Sequence, residues 1–182
     1  TDGLILSQSK ENDVKTSYRW GYNNQYPVVE VIGAAPDGFY YESFEEGVNT
    51  GILQSAAKTG KRVRATGFTV SFNRPDQQDY VLSYWSRVGA TGPWSYKQLN
   101  YSGPSYTITD GSYIDEVRIA PAGANMKTFT YDPLVGATSE TDFSGRTTYY
   151  EYDEFNQLKL IKNSDGKIIQ QFDYQFQKPV TQ

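Results

Sequence analysis

The sequence predicts an all-β chain in which a β-sandwich is inserted between the strands of an antiparallel repeat sheet. Three observations predict it. Aromatic residues outnumber leucine and isoleucine: 16 Tyr, 9 Phe and 3 Trp stand against eight Leu and nine Ile in 182 residues. Aromatic and β-branched side chains suit a pleated surface. An aromatic–Asp pair recurs at Tyr131-Asp132, Tyr152-Asp153 and Phe172-Asp173, at intervals of 21 and 20 residues. No stretch sustains a 3.6-residue apolar period, and Ile52 to Lys58 has room for one helical turn at most.

Residues 1–35 read as a degenerate piece of the repeat. Thr1-Asp2-Gly3-Leu4-Ile5-Leu6 parallels Ser164-Asp165-Gly166-Lys167-Ile168-Ile169. A Tyr-rich strand from Tyr18 follows, then a turn at Asn23-Asn24 and a short strand, Val28 to Ile32. The pattern opens at a turn, which suggests a segment of a longer protein. Residues 36–123 break the period. Pro/Gly-containing linkers flank them, Ala34-Ala35-Pro36-Asp37-Gly38 and Ala120-Pro121-Ala122-Gly123. Between these lie short strands at sandwich spacing: Phe39–Phe44, Lys61–Phe72 broken at Gly67, Tyr80–Trp85, Trp94–Tyr101, Ser105–Ile108 and Tyr113–Ala120. A structureless loop of that length is rare, so an inserted domain is favoured.

Residues 124–182 carry the repeat. Thr147–Tyr152 and Leu158–Lys162 form a strand pair, closed by Asn163-Ser164-Asp165-Gly166. Asp-Gly marks a hairpin turn because glycine accepts positive φ. Asn156 stands where such a turn often has Gly, and Asn is the next-best tolerated residue there. Asp132, Asp153 and Asp173 read as structural residues that cap the turns after them through backbone N–H groups.

These residues resemble the YD repeat of RHS-type bacterial proteins. The likeness rests on Thr148-Tyr149-Tyr150-Glu151-Tyr152-Asp153-Glu154-Phe155-Asn156-Gln157-Leu158 with Asp165-Gly166, and on Tyr131-Asp132-Pro133-Leu134-Val135-Gly136 through Asp142-Phe143-Ser144-Gly145. It implies a bacterial cell-surface or secreted protein whose repeats coil into a β-sheet shell, with some members binding sugars. The insertion resembles jelly-roll, carbohydrate-binding-like modules, through Ser43-Phe44-Glu45-Glu46-Gly47, Ala57-Lys58-Thr59-Gly60-Lys61 and Ile114-Asp115-Glu116-Val117-Arg118-Ile119. The combined expectation is a jelly-roll-like sandwich held between YD-repeat hairpins.

Composition narrows the chemistry. The chain has no His and no Cys, which excludes thiol nucleophiles, Ser-His-Asp machinery and ordinary zinc sites. A net charge of -4 argues against a nucleic-acid partner, and the apolar runs are far shorter than the ~20 residues of a spanning helix. The modules the insertion resembles often hold structural Ca²⁺ between the opening Glu and the closing Asp. Here the matching positions are Glu45 or Glu46 and Asp115, with loop carbonyls near Lys58 to Lys61 as the remaining ligands. The alternative is that these are solvated strand-end acids. The stretch 80–101 is dense in aromatics, and sugar C–H faces pack on such rings. Trp85, Trp94, Tyr96 and Arg87 are the carbohydrate-binding candidates. Alternation sends Val81, Ser83 and Trp85 to one face and Leu82 and Tyr84 to the other. Adjacent acids such as Glu45/Glu46 and Asp115/Glu116 should diverge for the same reason, so the expected function is non-catalytic: a binding or adhesion module, or a purely architectural shell segment. A carboxylate-based glycan-active enzyme is the alternative from another class.

Overall fold

The structure is a computed structural model that describes residues 3–53 and 56–175. Among these are sixteen strands and no helix, and every strand pairing is antiparallel. The all-β class is as expected. Eight strands form one sheet in the order β1 (Ser7–Gln8), β2 (Thr16–Gly21), β3 (Tyr26–Ile32), β12 (Asn125–Asp132), β13 (Gly136–Thr141), β14 (Thr147–Tyr152), β15 (Leu158–Lys162) and β16 (Ile168–Gln171). β3 and β12 are hydrogen-bonded neighbours, with Val29 opposite Thr128 and Ile32 opposite Asn125. The chain between them therefore leaves and rejoins the sheet at one seam.

That intervening chain builds a second sheet, β5 (Ile52–Leu53), β6 (Arg62–Ala65), β11 (Tyr113–Pro121), β8 (Tyr80–Arg87) and β9 (Ser95–Tyr101), with β4 (Tyr40–Glu42) also on β11. The pair β7 (Phe68–Ser71) and β10 (Ser105–Ile108) covers one of its faces. Ile52 and Leu53 are strand where a helical turn had room; Gln54 and Ser55 lie outside the described residues. Between the two layers Val70 and Ile108 meet Tyr80, Leu82, Tyr84, Ile114, Val117 and Ile119 in an apolar core. Each such side chain, fully buried, contributes about 1.5–3 kcal/mol.

The other face of the second sheet packs on the eight-stranded one, and that contact is half polar. Val29, Val31, Tyr41 and Met126 form its apolar part. Beyond them runs a buried ladder of hydroxyls. Thr130 Oγ1 bonds Ser139 Oγ at 2.6 Å, Thr141 Oγ1 bonds Thr147 Oγ1 at 3.2 Å, and the Thr128 hydroxyl bonds Glu116. Small hydroxyls pair across strands and need no cavity, so a sheet face can be polar and still dry.

The hairpin turns repeat one design. The Asp142 carboxylate accepts the N–H groups of Ser144 and Arg146, that of Asp153 those of Phe155 and Gln157, and the Asn163 amide oxygen those of Asp165 and Lys167. The fourth residue of each turn is left-handed: Gly145 at φ 84°, Asn156 at 60° and Gly166 at 76°. Asn156 thus occupies the glycine position, as its place in the repeat requires. Asn163, and not Asp165, caps the last described turn. Asp132 differs from expectation as well: its side chain takes the Lys61 ammonium at 3.0 Å, because the 132–136 turn is of another shape, with Leu134 left-handed. The turn after Asp173 runs into residues outside the described set.

Candidate functional site

β8 alternates as expected. Tyr80, Leu82 and Tyr84 enter the apolar core, so Trp85 and Arg87 face the other way, toward the hairpins. Trp94 enters from the loop before β9. Its indole N–H donates to the Ala56 carbonyl at 3.0 Å, and the same carbonyl accepts Arg87 Nη1 at 2.7 Å. Trp85, Arg87 and Trp94 line one cleft of about 460 Å³, closed on the far side by Tyr149, Ser164 and Asp165 of the repeat sheet. Three of the four carbohydrate candidates therefore share one cavity.

Each tryptophan carries a cation. Lys58 Nζ lies 4.0 Å from the Trp85 ring centre and 5.4 Å from that of Tyr149. The Arg87 guanidinium lies 4.6 Å from the Trp94 centre and 5.6 Å from that of Tyr113. Such contacts stabilise by about 0.5–2 kcal/mol, more as water is excluded. Both indoles remain half-exposed, whereas Lys58 and Arg87 are nearly buried. Burial pulls the Lys58 ammonium below its usual range, against the opposing charges of Glu116, Asp115 and Asp165.

Tyr96 stands apart from that lining. Its ring packs against Trp85 at 5.1 Å, but its hydroxyl accepts Arg118 Nη2 at 2.8 Å. Arg118 Nη1 donates to the Asp142 carbonyl at 2.8 Å. A Cβ on Gly145 would come within 2.8 Å of the Tyr96 ring. Tyr96 thus joins the sandwich to the first Asp-capped hairpin.

The acids behave unlike solvated strand ends. β11 bulges between Asp115 and Arg118, and Glu116 sits there at φ 53°. Ile114 and Val117 both face the apolar core, so Asp115 and Glu116 between them leave on the same side. The expectation that adjacent strand acids diverge fails here, because a bulge resets alternation. Both are buried, at 0% and 1% exposure. Asp115 Oδ2 accepts the N–H groups of Lys58 and Thr59 at 2.9 and 3.0 Å. Burial, with Glu116 and Glu45 nearby, raises the Asp115 carboxyl well above the usual range.

Glu45 and Glu46 do part. Phe44, left-handed at φ 63°, turns the chain there. Glu45 Oε1 accepts the N–H groups of Lys61 and Arg62 at 2.9 and 2.8 Å, whereas Glu46 takes the Tyr22 N–H on the repeat sheet at 2.7 and 2.6 Å. Glu45 and Asp115 therefore hold the two ends of one loop, 58–62, and Glu46 lies elsewhere. The loop meets both carboxylates through N–H groups, not carbonyls. Asp115 Oδ1 and Thr59 Oγ1 are buried without hydrogen-bond partners. Among the described residues no group of three or more acids gathers as a metal set.

Lys58, Tyr149, Ser164 and Asp165 were absent from the sequence-based candidates. Nothing local marks them, since three belong to hairpins that only the tertiary fold brings over β8. A larger cleft of about 520 Å³ lies at the β1 edge, lined by Leu4, Leu6, Trp20, Pro36 and Phe39 among others. Its Trp20 N–H is taken by the Ile5 carbonyl and its Arg19 by the Tyr41 carbonyl. It gathers fewer polar side chains for recognition than the Trp85–Trp94 cleft. Among the described residues no helix is long and apolar enough to cross a membrane. No family model matches the chain, and no curated protein matches it.

Proposed function

We propose that this chain is a non-catalytic segment of a bacterial surface or secreted YD-repeat protein, and that the Trp85–Trp94 cleft binds carbohydrate. The observation that carries this reading is the convergence of two half-exposed indoles with charged and hydroxyl side chains in one cavity of about 460 Å³. Sugar binding needs an apolar platform with hydrogen-bonding groups at its rim. The three Asx-capped hairpins support the repeat assignment, since one turn design recurs at 142–145, 153–156 and 163–166. The burial of Asp115 and Glu116 supports the non-catalytic assignment, because substrate has no access to that acid pair.

Glycan-array binding should be lost on Trp94→Ala, with circular dichroism and the melting temperature near those of the parent. Retained binding in the variant, or no binding by the parent, would favour a purely architectural role.

Structural calcium is a second reading, favoured by the orphaned Asp115 Oδ1 and Thr59 Oγ1. Asp115 and Glu45 would hold the ion and Glu46 would take no part. A ligand that binds only the folded state raises its stability by mass action. Calcium titration should release heat and raise the melting temperature by several degrees, and both effects should vanish in Asp115→Asn. A flat titration with no shift would sink the idea.

A further inference from the structure

We infer that the cleft selects acidic sugars, those carrying a carboxylate or sulfate group, and that Lys58 reads the charge. The inference rests on the glycan-binding reading above and names its ligand class. The cleft brings two basic side chains, Lys58 and Arg87, into one lining. The ion pairs found among the described residues are Lys61–Asp132, Lys127–Glu140 and Lys162–Glu151. None involves Lys58 or Arg87.

A neutral hydroxyl brings no charge to these two cations. An oxyanion only accepts, and its bonds to Lys and Arg are about twice as strong as neutral ones. Both cations are held by rings and a carbonyl but, among the described residues, by no ion pair, and a buried charge without a counter-charge in contact is costly, which adds to the advantage of an anion. The acids that face Lys58 are Glu116 and Asp115 from behind, and Asp165 from the hairpin rim. The first two are buried beneath the cleft. Asp165 is exposed and can accept from a ring hydroxyl while Lys58 holds the charge.

The test is a glycan array that pairs acidic sugars with their carboxyl-reduced or desulfated counterparts, followed by calorimetry on the best pair. The parent should prefer the acidic member at least tenfold, with the preference shrinking as salt is raised. Lys58→Gln should bring the acidic-to-neutral ratio to about one, and Lys58→Arg should keep the preference. Melting curves of both variants establish that they fold. Equal affinity for both members, or an unchanged ratio in Lys58→Gln, overturns the acidic selection and leaves the glycan reading standing. Failure of every sugar to bind overturns both. Inorganic sulfate binding without any sugar binding makes the cleft a plain anion site and overturns both as well.

Discussion

Asp115→Ala is expected to lower unfolding stability by about 3 kcal/mol, because it leaves the buried N–H groups of Lys58 and Thr59 without an acceptor, each such orphan costing about 1–3 kcal/mol. Part of that loss is offset, since the substitution also removes a buried carboxyl beside Glu116. Asp115→Asn separates the two effects. It keeps an oxygen for the amides and removes the charge, so it should stay within about 1 kcal/mol of the parent. The pH dependence sharpens the comparison. The folded-state pKa of Asp115 is raised, so the folded chain holds this proton where the unfolded chain has released it. The group therefore brings no penalty below the ordinary aspartate value of about 3.9. Its contribution turns destabilising as pH rises from there through the folded-state value, at up to about 1.4 kcal/mol per pH unit. Asp115→Asn should remove that falling component. Urea unfolding across a pH series measures both quantities; a loss under 1 kcal/mol in Asp115→Ala would show that the loop does not depend on this acceptor.

Leu82→Ala should cost about 3 kcal/mol, within the range of roughly 2–5 for a buried Leu→Ala change. Leu82 is fully buried against Ile119 and its neighbours, directly across β8 from the cleft. At the chain's 182 residues that loss corresponds to a melting shift of roughly 6–12 °C. The two substitutions probe opposite faces of the same two strands. Leu82→Ala empties space in the apolar layer without touching Lys58, Trp85 or Trp94, so glycan affinity measured well below the melting temperature should be unchanged. Asp115→Ala loosens the loop that carries Lys58 and should weaken binding together with stability. Equal effects of both on affinity would mean that the cleft depends on global stability and not on the 58–62 loop.

The strand pattern was legible because it needs only local information. Ser105–Ile108, Thr147–Tyr152 and Leu158–Lys162 fall where composition places them, and the left-handed turn at Asn156 follows from its position in the repeat. The face assignment of β8 was legible too, since an uninterrupted strand alternates. β11 was not, because a bulge at Glu116 leaves no mark in a sequence whose apolar residues still alternate to the eye. The acid pair that this bulge buries was therefore read as diverging to opposite faces. The cleft was half legible for a related reason. Trp85, Arg87 and Trp94 are close in sequence, whereas Tyr149 and Asp165 arrive from hairpins whose placement depends on how two sheets stack. Lys58 was hidden by its type, since lysine is read as a surface residue until a structure shows both a ring beneath it and a carboxylate holding its backbone.

The seam between β3 and β12 has a mechanical meaning. A Cβ on Gly33 would lie 3.6 Å from the Ala124 backbone, so the chain of the inserted sandwich leaves and rejoins the sheet at one place and the sheet runs past it unbroken. Load transmitted from strand to strand through the repeat array crosses the Val29–Thr128 ladder directly. The sandwich lies against the face of the sheet, beside that path. The sandwich is coupled to the sheet across that packed face, through the Val29–Tyr41–Met126 core, the Thr128–Glu116, Glu46–Tyr22 and Lys61–Asp132 contacts and the hairpin held by Arg118, so strain in the sheet reaches the cleft through them.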